Sequence, residues 1–340
     1  MFGQVVIGPP GSGKSTYCYG MHQFLNALGR KNAIINLDPA NDHLQYPCAL
    51  DIREFITLED VMTETNLGPN GGLMYAMELL RESANEFIDK VVDICLKQRN
   101  YVLFDCPGQV ELFTHDNSLG WIFRKLNKQL RLCVVQLIDV NYLMPASNYI
   151  SVLLLALRAM LQLDLPQVNV LSKIDMVLNF AHELPYKLDY YTDVNDLHYL
   201  IPHVEAEFKR SPLSGNFIRL TEAIADLIES YGLVQFEVLA IEDKQSMIKL
   251  LTVVDKAMGY ALGTNEVGGD TVWTDAMRIG GLKELQDIDI HERWVDNKAE
   301  YEKQQHDLEQ ELQQENLQKP LETSEDEWER DLKQWQQQNQ

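Results

Sequence analysis

Residues 8–16 read Gly8-Pro9-Pro10-Gly11-Ser12-Gly13-Lys14-Ser15-Thr16, and their types and spacing suit them to hold a polyphosphate. The glycines let the backbone curl so that successive N–H groups point inward at anionic oxygens. The pattern G-x-x-x-x-G-K-[ST] then places a lysine to reach the β- and γ-phosphates and a hydroxyl to bind Mg2+. Gly11, Ser12, Gly13, Lys14, Ser15 and Thr16 are accordingly the expected phosphate-binding residues, with Lys14 also catalytic and Ser15 a metal ligand. The loop by itself selects neither the base nor the reaction, and a small nucleotide kinase would suit it equally.

Three further segments carry matching chemistry. Asp105-Cys106-Pro107-Gly108-Gln109 fits D-x-x-G. Asp105 would hold Mg2+ through water, the Gly108 N–H would meet the γ-phosphate, and Gln109 stands where Ras-like GTPases carry the residue that positions water. Glu111 is a second polar group nearby, and Cys106, with no histidine close in sequence, reads as a packed thiol. Asp38, in Asn36-Leu37-Asp38-Pro39-Ala40, resembles the aspartate that approaches the attacking water in dimeric P-loop ATPases, and is expected to activate water or to stand in the outer Mg2+ shell. Ser172-Lys173-Ile174-Asp175 resembles the base-reading box of GTPases. Asp175 would accept from the guanine N1–H and 2-amino group, which adenine lacks, and a site built on such bonds discriminates because the wrong base leaves buried polar groups unpaired. The Lys173 stem would cover the ring face, and Ala240, after the next strand, would supply a second base contact.

These loops need a scaffold that brings strand ends together. Apolar runs at 4–7, 33–37, 101–104, 132–138, 168–171 and 236–241 predict buried strands. Helical stretches at 14–29, 72–98, 118–130, 147–163, 214–231 and 244–262 lie between or after them. The alternation predicts an α/β fold: a doubly wound, mostly parallel sheet of the P-loop NTPase type, with ligands at the carboxyl ends of the strands. A nucleotide domain over 1–262, with an insertion near 60–82, would be followed by a loop region over 263–282 and a tail over 283–340. From Lys283 onward there are 17 acidic and 7 basic residues with many glutamines, which predicts a charged helical or disordered tail. Within it Trp328, Leu332 and Trp335 share one helical face.

The formal net charge is -22. So acidic a chain is repelled by nucleic-acid backbones and anionic lipids, and a basic protein surface is the expected partner. The 5 cysteines are scattered without a C-x-x-C pair, which fits a reducing, intracellular setting without separating cytoplasm from nucleus. The apolar stretch Ile150 to Leu163 contains Arg158 and Gln162 and reads as a buried helix rather than a membrane span.

Gly68-Pro69-Asn70 would alone be an ordinary turn. Beside Asp-Pro-Ala-Asn-Asp (38–42), Asp-Cys-Pro-Gly-Gln-Val-Glu-Leu-Phe (105–113) and Ser-Lys-Ile-Asp (172–175), it makes the chain resemble the GPN-loop GTPases over roughly residues 1–300. The segments 47–53, 188–191 and 268–273 look most like the second eukaryotic paralogue. The resemblance implies GTP, GDP and Mg2+ as ligands, and a homodimer or a heterodimer with a paralogue. It also implies that Asn70 reaches the partner's site as a catalytic group. A role in assembly and nuclear import of RNA polymerases II and III is implied as well, with shuttling between cytoplasm and nucleus.

Two other functions compete. A nucleotide kinase should carry an arginine-rich lid, and residues 120–160 offer Arg124, Arg131 and Arg158 without a lid-like hairpin. A GTP-binding scaffold or assembly chaperone with negligible hydrolysis is compatible with every motif above, because slow intrinsic turnover is normal for GTPases without an activator.

Overall fold

The computed structural model describes residues 1–41, 44–98, 101–209, 214–260 and 289–307. The Gly268–Trp273 loop and the Trp328, Leu332, Trp335 stripe lie outside them. The chain runs β1 (Phe2–Ile7), α1 (Lys14–Ala27), β2 (Asn32–Asn36), β3 (Cys48–Asp51), α2 (Leu58–Thr65), α3 (Pro69–Glu82) and α4 (Ala84–Gln98). It continues through β4 (Tyr101–Asp105), α5 (Glu111–Thr114), α6 (Ser118–Leu126), β5 (Arg131–Asp139) and α7 (Ala146–Leu163). Then come β6 (Gln167–Ser172), α8 (Leu188–Asp193), α9 (Ile201–Phe208), α10 (Ser214–Tyr231), β7 (Phe236–Leu239) and α11 (Lys244–Met258).

Among the described residues the strands form one seven-stranded sheet in the order β3-β2-β4-β1-β5-β6-β7. Every pairing is parallel, so the expected mostly parallel sheet is wholly parallel. A parallel sheet needs cover on both faces, and its strands then read as continuous apolar runs. Along β1, Val5 and Ile7 enter the core packed by α3, α4 and α6, while Val6 enters the opposite core packed by α1 and α11. Strand β5 repeats this, with Leu132 and Val134 on the first face and Cys133 and Val135 on the second. The period-2 alternation of side chains thus feeds two cores from one uniformly apolar sequence. A third core lies where α7, α8 and α10 meet β6 and β7.

Helix ends follow local chemistry. Asp243 caps α11 by accepting from the Ser246 N–H, and Thr57 caps α2 by accepting from the Asp60 N–H. Gly259, at φ 70°, ends α11 earlier than the expected 262. The expected helix over 72–98 is two helices, α3 ending at Glu82 and α4 resuming at Ala84, with Ser83 as the turn between them. Strand β3 was not legible, because Cys48–Asp51 is a short, half-buried edge without an apolar run. Helix α7 is long and apolar enough to cross a membrane, yet half of it is buried inside the protein.

Two compact units divide at residue 295. Residues 289–295, expected from sequence to be part of the 283–340 tail, belong to the first unit: Trp294 is 6% exposed and sits in the third core. The reason is local. Ile290 and Trp294 supply apolar side chains at helical spacing, joined by Val295, and they have a surface to cover.

Candidate nucleotide site

The sheet register brings the motif loops together. Asp105, last in β4, pairs with Val6 on one side and Asn36 on the other. Ser172, last in β6, pairs with Asp139 and Leu239. The carboxyl ends of β2, β4, β1, β5, β6 and β7 therefore form one edge, from which the phosphate loop rises between β1 and α1. This edge is where open parallel sheets bind ligands.

The loop's shape is forced by close packing at Gly8. Its φ is 150°, and a Cβ there would lie 2.2 Å from the Leu137 carbonyl oxygen. Gly8 thus lets β1 turn sharply over β5. Lys14 opens α1, and its ammonium donates to the carbonyl oxygens of Gly8 (3.1 Å) and Pro9 (3.2 Å), inside the loop's curl. Burial lowers its pKa below the ordinary lysine value, and the charges of Asp105 and Asp38 oppose that shift. A cation held by fixed carbonyls beside two carboxylates is arranged for an anionic ligand. Gly108 closes over it: a Cβ on that residue would lie 3.1 Å from Lys14 Nζ. Ser15 is half-buried and Thr16 exposed on the first turn of α1. Ser12 is fully buried, with its hydroxyl lacking a hydrogen-bond partner among the described residues.

Asp105 is almost fully buried. Its Oδ2 accepts from the Tyr46 hydroxyl at 2.7 Å, and its Oδ1 is buried without a hydrogen-bond partner among the described residues. Burial raises its pKa, against which the Tyr46 and Ser15 hydroxyls and Lys14 favour the ionised form. Tyr46 is a site residue that sequence reasoning missed. It lies in the loop between β2 and β3, where no motif marks it. Burial also pushes the Cys106 and Cys18 thiols well up, so both are packed neutral groups.

Asp38 follows β2 and lies near enough for its charge to act on both Lys14 and Asp105. Its Oδ1 accepts from the Ala40 N–H (2.9 Å), and its own N–H donates to Asn36 Oδ1 (3.1 Å). Asn36, fully buried, also donates to the Asp38 carbonyl (3.1 Å) and to Asp51 Oδ1 (3.0 Å). It thereby ties the Asp38 turn to the unforeseen strand β3. Asn70 is the second residue of α3, after Pro69 at its start, and its Oδ1 accepts from Gln109 Nε2 at 2.7 Å. Glu111 opens α5 and is exposed.

The Ser172–Asp175 loop is fastened to the phosphate loop. Ser172 Oγ donates within 2.8 Å of the Ser12 carbonyl and lies 3.2 Å from that of Ile138. Lys173 takes a left-handed conformation (φ 59°), and its ammonium reaches the Gly11 carbonyl and Asp139 Oδ2, each at 2.7 Å. Asp139 is another residue that no motif pointed out, although it ends β5 on the ligand edge. Asp175 is exposed at the start of a short helical turn over Ile174–Asn179. Ala240 is buried directly after β7, and its N–H donates to Ser246 Oγ at 3.2 Å. Of the arginines weighed for a kinase lid, Arg124 donates to the Gly120 carbonyl and Arg158 to that of Thr114.

A family model described as a conserved hypothetical ATP-binding protein matches residues 6–260. The chain is 54% identical to GPN-loop GTPase 2 of Saccharomyces cerevisiae over 339 residues, covering 98% of this chain and 96% of the yeast protein. The chain belongs to the GPN-loop GTPase family. GPN-loop GTPase QQT1 of Arabidopsis thaliana is 46% identical over 86% of this chain and 100% of the plant protein. Among solved structures, a GTPase from Pyrococcus abyssi in its apo form superposes with a TM-score of 0.60 at 26% identity, covering 76% of this chain and 98% of that one. The family's Gly-Pro-Asn signature corresponds here to the α2–α3 turn. Gly68 caps α3, and Asn66, at φ 55°, terminates α2.

Proposed function

We propose that this chain binds GTP with Mg2+ and hydrolyses it to GDP and phosphate, acting as a nucleotide-dependent dimeric switch. The single observation that carries the reading is the fastening of the Ser172–Asp175 box to the phosphate loop through Ser172 Oγ and Lys173 Nζ. A base-reading carboxylate and a phosphate cradle so joined fit one nucleotide spanning both. Guanine is favoured over adenine because Asp175 offers two acceptors to the guanine N1–H and 2-amino group. The names of the curated relatives agree with this, while the matching family model is described by ATP.

The residues present fit Mg2+. Among the described residues Asp105 Oδ1 is buried with no hydrogen-bond partner, and the Ser15 hydroxyl adjoins the same carboxylate. One carboxylate and one hydroxyl are too few for a protein-only cage, but Mg2+ ordinarily keeps waters and nucleotide phosphates as its other ligands. When bound, it would neutralise charge developing on the transferring phosphate. Lys14 would hold the β- and γ-phosphates, the Gly108 N–H would bond the γ-phosphate, and Asp38 and Gln109 would orient the attacking water.

The partner is a second copy or a paralogue, with Asn70 contributing to the site across the dimer, and the clients are RNA polymerases II and III during assembly and nuclear import. This reading rests on the family resemblance and on the acidic net charge, which favours basic protein surfaces over nucleic acid or membrane. The experiment is phosphate release by the purified chain from GTP and from ATP, each with and without Mg2+ and with a phosphate acceptor present. Mg2+-dependent release from GTP alone is expected; phosphorylation of the acceptor, or equal use of ATP, would overturn the assignment. Capture of cellular partners by the chain loaded with GTP or GDP, and its distribution between cytoplasm and nucleus, test the assembly role.

A further inference from the structure

Residues 289–295 form a clasp between two parts of the first unit that lie far apart in sequence. At one end, the N–H groups of Ile290 and His291 donate to Asp189 Oδ1 (2.9 Å) and Oδ2 (3.2 Å) at the start of α8. The Leu188 N–H in turn donates to His291 Nδ1 at 3.3 Å. In the middle, Trp294 is buried in the core that holds Phe236 and Val238 of β7. At the other end, Arg293 Nη2 lies 2.9 Å from Asp243 Oδ2, with both side chains largely shielded, at 16% and 15% exposure. Arg293 Nη1 donates to Gln245 Oε1.

Asp243 ends the loop that begins at Ala240. The same Oδ2 that meets Arg293 also accepts the Ser246 N–H at 2.9 Å, starting α11. Ser246 Oγ, in turn, lies 2.8 Å from the Ala240 carbonyl and 3.2 Å from its N–H. The loop is therefore held from inside by Ser246 and from outside by Arg293. On its other flank, Leu239 pairs with Ser172, and Ile241 lies against Gly20 of α1, where a Cβ would come within 2.7 Å of it. The loop thus leaves β7 next to Ser172, the first residue of the box, and Arg293 makes the charged bond to its last residue.

We propose that Arg293 is a positioning residue for base recognition: anchored by the clasp 289–295, it holds the Ala240–Asp243 loop against the Ser172–Asp175 box and so sets how long and how selectively guanine is retained. This rests on reading that box as the base site. A charge-assisted bond to a shielded carboxylate is among the stronger polar contacts, and its loss leaves that end of the loop held by Ser246 alone, with the phosphate loop and its lysine untouched.

The test uses the full chain carrying Arg293→Gln, and separately Arg293→Lys. Dissociation of fluorescent GDP is timed, and affinity is measured for GDP, for ADP and for inorganic triphosphate, which has no base. Arg293→Gln is expected to release GDP about ten-fold faster and to narrow the GDP-over-ADP preference, with triphosphate affinity unchanged. Arg293→Lys should recover part of the effect, since an ammonium can still meet Asp243 but cannot also reach Gln245 in the same fork. Unchanged GDP dissociation in a folded variant would overturn the proposal, as would equal weakening of GDP and triphosphate, which marks general loosening. If Arg293→Gln does not fold, unchanged dissociation from Arg293→Lys overturns it. A wild-type chain with no preference for GDP over ADP would instead overturn the base site itself.

Discussion

Gln109 and Asn70, 39 positions apart in the chain, meet through a 2.7 Å hydrogen bond in which the Gln109 amide nitrogen donates to the Asn70 amide oxygen. One belongs to the loop after β4, which carries Asp105; the other opens α3 behind Gly68 and Pro69. The contact joins the Gly-Pro-Asn turn to the loop that would face the γ-phosphate. Each amide keeps unused donors and acceptors, so the pair can still address a water or a phosphate oxygen.

If this pair orients the attacking water, Asn70→Ala and Gln109→Ala should each bind GTP nearly normally and turn over slowly. A lost transition-state contact costs about 10²–10³ in rate. The double variant should be little worse than either single one, because groups acting as a unit are non-additive. Single-turnover rates on all three decide this; fully multiplicative losses would show that the two act independently. Mixing Asn70→Ala with a Lys14→Ala chain then separates the two arrangements of Asn70. The dimer proposal expects activity to return in mixed dimers; no return would assign Asn70 to the site of its own chain.

Lys14→Ala should remove most triphosphate affinity, by roughly 100-fold or more, since charge-assisted bonds to phosphate are worth about 1.5–3 kcal/mol each. Its thermal stability should fall little. Lys14 is desolvated and its protein contacts are to carbonyl oxygens, so its burial serves the ligand. Fluorescent-nucleotide titration beside a melting curve checks both halves. Undiminished binding in a folded variant would remove the phosphate-loop assignment.

Asp175→Asn exchanges an acceptor pair for one acceptor and one donor. Preference should move from GTP toward XTP, whose C2 oxygen accepts where guanine donates. Competition between the two nucleotides measures the shift. Retention of the wild-type margin would mean that Asp175 does not read the base.

Gly8→Ala should destabilise the fold, not merely the loop. An alanine Cβ would lie 2.2 Å from the Leu137 carbonyl oxygen, at a φ of 150° that side chains rarely adopt. Backbone strain and overpacking together cost roughly 2–4 kcal/mol. Equilibrium unfolding in urea checks this, and a loss below about 1 kcal/mol would show that β1 and β5 can separate at that point.

Much of the molecule was legible in its sequence because the relevant chemistry is contiguous. The phosphate loop, the Asp105–Gln109 segment and the Ser172–Asp175 box each need their residues at fixed short spacing, and each follows an apolar run that must be a buried strand. Six of the seven strands announced themselves in this way, since a parallel sheet covered on both faces demands unbroken apolar runs. Strand β3 carried no such run; at the sheet edge, pairing with β2 decides its conformation. Tyr46, Asn36 and Asp139 likewise take their parts from partners far away in the chain, namely Asp105, Asp51 and Lys173. The same holds for residues 289–295: composition reads them as the beginning of an acidic tail, and only the surface formed by α8, β7 and α11 makes burying Trp294 and pairing Arg293 worthwhile. Short-range spacing encodes which groups can do chemistry. Which groups hold them in place depends on long-range contacts, which exist only once the loop-closure entropy of folding has been overcome.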